Sequence, residues 1–185
     1  MKKHALIAAA ATVAAMSQQA HALSLGATVG ENSYSIQGTQ RIVPGLHAGA
    51  GYYSSDDSGG DARAYSGSLM FTPYTPLVDV SVGARYQYLD TDYGDGGNLG
   101  LSGSAYIPTT IPRVSLGGYA HYFPSALSHG DVDESYEYGA NLRFRVLGNS
   151  FLTGGYRYYK ADFDGDGGGS RRLESGWVMG VSVGF

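Results

Sequence analysis

Apolar residues alternate with small or polar ones along most of this 185-residue chain, and this period of two constrains the fold more than any other feature. In the last segment one parity is apolar, with Trp177, Met179, Val181, Val183 and Phe185. The other parity holds Gly176, Gly180, Ser182 and Gly184, with Val178 as the exception. Successive side chains of a β-strand point to opposite faces, so the pattern predicts a strand that is apolar on one side only.

Turn residues divide the chain into ten such segments. They cover about residues 23–31, 34–43, 46–54, 62–72, 77–89, 97–107, 113–122, 133–146, 150–162 and 171–185. Four connections are short, uncharged and rich in Pro or Gly, and they alternate with mostly longer ones, rich in Asp and Gly, at 54–61, 90–97, 123–131 and 162–170. An even strand number with two kinds of connection is typical of outer-membrane barrels. The sequence therefore predicts an all-β fold, a closed antiparallel transmembrane β-barrel of 10 strands.

The face opposite the apolar one decides between a membrane barrel and a soluble one. A soluble sandwich or lipocalin-like barrel also alternates, but it buries its apolar face. Here the opposite face carries many of the chain's 29 glycines and several arginines, which suit a crowded, wet lumen. Tyrosines also gather beside the acidic connections, as in an aromatic girdle. We therefore expect the apolar face to contact outer-membrane lipid and lipopolysaccharide, and the barrel to be a monomer.

Composition excludes several other classes. Charged residues make up 15% of the chain and the net charge is −4, so the basic surplus of a nucleic-acid-binding protein is missing. No apolar run after residue 22 approaches the ~20 residues of a membrane-spanning helix. The absence of cysteine excludes disulfides and thiolate metal sites. No cofactor is predicted.

The first 22 residues have the three parts of a secretory signal peptide. Lys2 and Lys3 supply a positive start, residues 5–16 form an apolar run, and residues 20–22 read Ala-His-Ala, an A-x-A cleavage site. We therefore predict cleavage after Ala22 and a single barrel domain over residues 23–185.

Charges divide between the two predicted regions. Most carboxylates fall in the acidic connections, which are expected to face outward. The predicted lumen and its rim hold seven arginines against three carboxylates: Arg41, Arg85, Arg113, Arg143, Arg145, Arg157 and Arg172 against Asp79, Glu137 and Glu174. One interpretation is a narrow anion-selective channel. The other is a structural or weakly conducting barrel in which these side chains pair and fill the lumen, since ten strands enclose little free space.

Two further motifs predict binding outside the lumen. The C-terminal strand, with Trp177, Met179, Val181, Val183 and Phe185, resembles the signal read by the outer-membrane barrel assembly machinery. Asp162, Asp164 and Asp166 match the opening of a calcium loop, but the twelfth position is Leu173 rather than a bidentate Glu. This loop is therefore expected to bind divalent cations weakly, or to be a solvated acidic rim.

An enzyme of the outer-membrane surface is the second alternative. His121 and Glu137 fall on the predicted lumen parity with Ser102 and Ser115, which together have the composition of a hydrolase triad. No G-x-S-x-G motif marks an activated serine. A second set, His129 near Asp131 and Asp133, lacks diagnostic spacing. We therefore predict no catalytic residues.

Three local patterns point to a family: Ser-Ser-Asp-Asp at 54–57, Tyr-Phe-Pro-Ser-Ala-Leu at 122–127, and Gly-Tyr-Arg-Tyr at 155–158 leading to the Gly-Val-Ser-Val-Gly-Phe end. With the order of strands across nearly all of residues 23–185, they resemble the YfaZ-type outer-membrane proteins of Gram-negative bacteria. The resemblance implies a small outer-membrane barrel. Members of that family often carry an acidic residue where this chain has Ser125.

Overall fold

A computed structural model describes residues 23–57, 60–164 and 169–185. The predicted signal peptide, residues 1–22, lies outside the described residues. Within them the chain forms one short 3-10 turn, Ser125–Leu127, and eleven strands. The strands are β1 (Leu23–Val29), β2 (Ser33–Val43), β3 (Leu46–Asp57), β4 (Gly60–Phe71), β5 (Asp79–Thr91), β6 (Gly94–Pro108), β7 (Val114–Phe123), β8 (Ser128–Gly130), β9 (Val132–Leu147), β10 (Ser150–Phe163) and β11 (Gly169–Gly184). No helix in these ranges is long and apolar enough to cross a membrane.

Ten of the eleven strands close into an antiparallel barrel, as predicted. Neighbouring strands pair from β5 back through β1 to β11, β10, β9, β7 and β6, and a β5–β6 ladder completes the ring. The eleventh, β8, is a short addition that pairs with β6 at Gly96 to Asn98. At the seam the Phe185 amide donates to the Leu23 carbonyl oxygen at 2.8 Å. We call the end that holds these two residues the terminal end.

Two of the four acidic segments, 54–61 and 90–97, are mostly strand in their described residues, which differs from the expected longer loops. Asp56 pairs with Asp61 on the neighbouring strand, and Asp90 pairs with Asp95, so both ladders continue to within a few residues of the turn. Continued pairing satisfies the backbone amides and carbonyls that a loop would leave to water. We call this end of the barrel the acidic end. In these segments the extra length relative to the short connections is therefore strand rather than loop.

The two faces of the wall have the predicted polarity. Trp177, Met179 and Leu101 point outward, with 76%, 71% and 71% of their surface exposed, whereas Val178 is buried inside the barrel. Outward tyrosines contact one another in a band near the acidic end, with ring centroids 5.9 Å apart for Tyr34 and Tyr52. An apolar outer surface with an aromatic band matches the hydrocarbon and interfacial layers of a bilayer.

An apolar cluster fills the acidic end of the lumen. Leu89 is fully buried, and Tyr159 and Val132 are each 2% exposed. We call this cluster the lumen core; it consists of Tyr53, Ala62, Ala64, Leu89, Val132, Tyr159, Ala161, Phe163 and Leu173, with Tyr93 packed against it. The parity argument assigned the lumen to small residues and arginine, and the cluster shows that this holds only below the acidic end.

Candidate functional site

Arg157 lies at the centre of a charged cluster below the lumen core. It projects inward from β10, and its Nη1 is 3.2 Å from Oε2 of Glu174 on β11. Its Nε is 3.4 Å from Oε1 of Glu137 on β9. All three side chains are about one-tenth exposed or less. One arginine therefore neutralises two buried carboxylates from the strands on either side of it.

A β-bulge separates Glu174 from Arg172. The β10–β11 register pairs Tyr159 with Glu174 and then Lys160 with Arg172, so Leu173 is the extra residue. Leu173 and Glu174 are both buried, whereas Arg172 is exposed. A bulge lets two successive side chains escape strict alternation. Arg172 therefore lies outside the lumen cluster in which the sequence pattern grouped it.

Tyr119 is the member of this cluster that the sequence analysis missed. Its hydroxyl donates to Oε1 of Glu137 at 2.9 Å and accepts from Nε of Arg157 at 2.9 Å. The ring lies against Gly139, its register partner on β9, where an added Cβ would come within 2.7 Å of Cε1. The sequence feature that could have identified Tyr119 is a tyrosine on the inward parity of β7 opposite a glycine on the inward parity of β9.

Arg85 forms a second polar group with His121 and Ser102. Nη1 of Arg85 is 2.9 Å from Nε2 of His121, and Nδ1 of His121 is 2.8 Å from Oγ of Ser102. Guanidinium nitrogens only donate, so Nε2 of His121 is the acceptor. In a neutral imidazole Nδ1 then carries the proton and donates it to Ser102. Nη2 of Arg85 donates to Oγ of Ser66 at 3.0 Å.

The geometry of His121 is unsuited to activating a serine. A general base needs a free ring nitrogen facing the serine hydroxyl, and in this arrangement that nitrogen donates instead. Glu137 pairs with His121 in the register, but its Oε1 is held by Tyr119 and Arg157. Ser115 lies further along β7, opposite Arg143.

The remaining residues of the predicted network lie at the strand ends. Nη1 of Arg143 is 3.8 Å from Oδ2 of Asp79, and its guanidinium carbon lies 3.2 Å from the centroid of the Tyr106 ring. The exposed members are Asp79, Arg41, Arg113 and Arg145 at the terminal end and Arg172 near the acidic end. Of the ten predicted residues, Arg85, Arg157, Glu137 and Glu174 thus lie inside the lumen, Arg143 pairs with Asp79 near its terminal end, and the other four arginines are exposed.

A polar cavity of about 280 Å³ lies between the charged cluster and the terminal end. Its walls are mostly hydroxyl and glycine positions, and the charged or ring-nitrogen side chains that line it are Arg85, His121, Glu137, Arg143 and Arg157. Two inward glycines of β3 make room for serines of β4: a Cβ at Gly49 would lie 2.7 Å from Oγ of Ser68, and one at Gly51 2.9 Å from Oγ of Ser66. The lumen therefore has a filled acidic end and a hollow terminal half.

The predicted cation loop is only partly described. Asp162 forms an ion pair with Lys160, with Nζ 3.4 Å from Oδ1, and Asp166 lies outside the described residues. Among residues 23–57, 60–164 and 169–185, no group of three acidic or histidine side chains is arranged to hold a metal ion. His129 of the second acidic set contacts Tyr86, at 3.4 Å from Nε2 to the hydroxyl.

The C-terminal strand presents its apolar parity to the outside. Trp177, Met179, Val181 and Phe185 are exposed, and Val183 is half-buried beside the seam with β1. Tyr156 of β10 packs edge-on against Trp177, with centroids 5.9 Å apart. The residues of the predicted assembly signal therefore share one outer face.

A closed ten-stranded barrel with an apolar exterior and a polar lumen defines an outer-membrane β-barrel protein. The model of the family described as "YfaZ precursor" matches residues 1–185, and the chain belongs to this family. Over 186 residues it is 28% identical to "Outer membrane protein YfaZ" of Escherichia coli (strain K12), covering 100% of both chains. The protein is thus located in the outer membrane, and the word precursor agrees with an exported chain. The family resemblance drawn from the sequence motifs is confirmed.

Solved structures show a weaker likeness. The "KdgM porin" is 11% identical with a TM-score of 0.42, and the match covers 89% of this chain and 99% of that one. The N-terminal β-barrel domain of Pseudomonas aeruginosa OprF is 10% identical with a TM-score of 0.37, over 89% of this chain and 96% of that one. Values this low carry no information about function.

Proposed function

We propose that this protein is a structural barrel of the outer membrane whose lumen is closed to solutes, with its acidic end facing outward. The observation that carries the proposal is the lumen core. Leu89 is fully buried, Ala161 is 1% exposed and Val132 is 2% exposed. A solute crossing the barrel would have to displace this packed layer, and interiors of this kind contain few voids larger than a water molecule.

The charged cluster below the core supports the same function. Arg157 has a carboxylate on each side, so its charge is matched locally rather than offered to a passing anion. Buried charges that are paired and hydrogen-bonded fix the arrangement of the side chains that carry them. We expect the cluster to hold β9, β10 and β11 at fixed spacing.

Planar-bilayer recording tests the closed lumen. The wild-type barrel is expected to give no discrete current steps across salt and voltage. A double substitution that removes bulk from the core, Leu89→Ala with Phe163→Ala, should produce steps. Leu101→Ala on the lipid-facing surface is the control and should stay silent. Regular steps from the wild-type barrel would overturn the proposal.

The runner-up function is a narrow anion-selective channel. The observation that favours it is that Arg85 and Arg143 line the polar cavity. If wild-type currents occur and shrink in Arg143→Glu, this function replaces the closed barrel. Surface catalysis, the second alternative, has less support because His121 donates to Ser102 in the arrangement described above.

We propose that the outer face contacts lipid along its apolar band and lipopolysaccharide near the acidic end, and that one chain forms the working unit. Divalent cations held weakly by the exposed carboxylates would reduce repulsion from the phosphates of the outer leaflet. Native mass spectrometry from detergent tests the monomer; a stable dimer would contradict it.

A further inference from the structure

We propose that the polar cavity is a binding site for a small oxyanion, a carboxylate or a phosphate, which enters from the terminal end. The site centres on Arg85. Among the described residues, no carboxylate oxygen lies within the 4.0 Å ion-pair limit of this guanidinium. Its partners are a neutral imidazole nitrogen and a hydroxyl. This inference does not depend on whether the barrel conducts.

One donor of Arg85 is unused. Its Nε is buried and has no hydrogen-bond partner in the described part of the chain. Leaving a charged donor unpaired away from water is costly. Glu137 interacts with Arg85 electrostatically, but its Oε1 is bound by Tyr119 and Arg157. An oxyanion in the cavity would supply the missing acceptor, and the planar guanidinium suits carboxylate and phosphate oxygens.

The walls of the cavity supply further groups that can donate hydrogen bonds to an oxyanion. Ser66 and Ser68 of β4 place hydroxyl groups beside Arg85, and Ser104 of β6 lines the cavity further toward the terminal end. Gly49 and Gly51, next to these serines on β3, add no side chains to this part of the wall. Thr39, Met70 and Ser182 line the cavity toward the terminal end and stay partly exposed. The lumen core blocks the other route, so a ligand would enter and leave by the terminal end.

The test is NMR observation of the Arg85 Nε–H signal in the folded full-length barrel in detergent, titrated with inorganic phosphate and, separately, with acetate. Potassium chloride at matched ionic strength is the third arm. A saturable shift with phosphate alone assigns the site to phosphate groups, and one with acetate alone assigns it to carboxylates. Saturation by both supports the shared oxyanion chemistry. Equal saturation by chloride, or no saturation, overturns the proposal.

The decisive variant is one that fills the cavity. Arg85→Met cannot serve, because it removes the Nε–H group whose signal is measured. Ser68→Leu is expected to weaken binding about tenfold or more, since it occupies the space beside Arg85 and blocks bonds to a charged group. Ala84→Leu is the control: it adds bulk to the outward face of β5, the strand next to β4, and this variant should bind the oxyanion like the wild-type barrel. If Ser68→Leu does not fold, Ser104→Leu fills the same cavity from β6. Unchanged affinity in the filled variant, or the same titration curve at the exposed Arg113 Nε–H, refutes the site.

Discussion

Nη1 of Arg157 lies 3.2 Å from Oε2 of Glu174 on the neighbouring strand, just before the register between the two strands is interrupted. Glu174 faces inward next to Leu173, which is the extra residue of a β-bulge. Ser33 of β2 donates a hydrogen bond to the same carboxylate. The carboxylate of Glu174 therefore links strands from the two ends of the sequence, and the bulge beside it turns Arg172 away from this contact.

Arg157→Met should destabilise the folded barrel by about 3–5 kcal/mol, because it leaves Glu137 and Glu174 buried without a cation. Urea titration in phospholipid vesicles, followed by the emission of the single tryptophan, Trp177, measures the free energy of unfolding. Arg143→Met is the matched control. Its ion pair with Asp79 is longer, at 3.8 Å, and more exposed, so we expect a loss of about 1 kcal/mol or less. Equal losses in the two variants would contradict a special role for Arg157.

The barrel could be predicted from sequence because the alternation of apolar and polar residues within each strand shows which of its two faces is apolar. All ten predicted segments overlap observed barrel strands, and the exceptional Val178 is indeed inside the barrel. Where the alternation did not predict the side on which a residue lies, a local feature such as a β-bulge was the cause. The bulge at Leu173 leaves Arg172 outside the lumen cluster.

The composition of the lumen was harder to predict than its parity. Leu89 and Phe163 are apolar residues on the inward parity, and nothing in a period of two says that they meet across the barrel. Contacts such as Arg85 with His121 join positions far apart in sequence, so they depend on the ring closing with a particular register. Parity also does not tell which inward arginines are buried and which, like Arg41, Arg113 and Arg145, are exposed at the strand ends.

Leu89→Ala should cost about 2–5 kcal/mol of folding stability, the range for removing a buried leucine side chain and leaving a cavity. The same urea titration measures it. Leu101→Ala removes the same atoms from a position that is 71% exposed on the outer face. That control loses lipid contact but creates no internal cavity, so its effect should be clearly smaller. If Leu101→Ala were the more damaging change, the assignment of inside and outside at these positions would be wrong.

Ser102 should remain unlabelled by a fluorophosphonate probe that reacts with activated serines. The reason is that His121 donates its Nδ1 proton to the Ser102 hydroxyl while Nε2 accepts from Arg85. Mass spectrometry of the folded barrel after treatment measures labelling. Arg85→Met frees Nε2 and serves as a comparison. Labelling of the wild-type chain that disappears in Ser102→Ala would instead support the enzyme alternative.

Phe185→Ser should sharply reduce assembly into the outer membrane, while the mature chain should still refold in detergent. Phe185 is 66% exposed at the end of β11, on the outer face shared with Trp177 and Met179. The proposed recognition by the assembly machinery would require these side chains before the barrel closes, whereas contact with lipid requires them only afterwards. The measurement is the amount of heat-modifiable barrel in the outer-membrane fraction. Phe144→Ser makes the same change at a lipid-facing position of β9 that is 45% exposed, so it tests loss of lipid contact alone. If both variants assembled to the same extent, the C-terminal phenylalanine would act only through lipid contact and the proposed signal would be refuted.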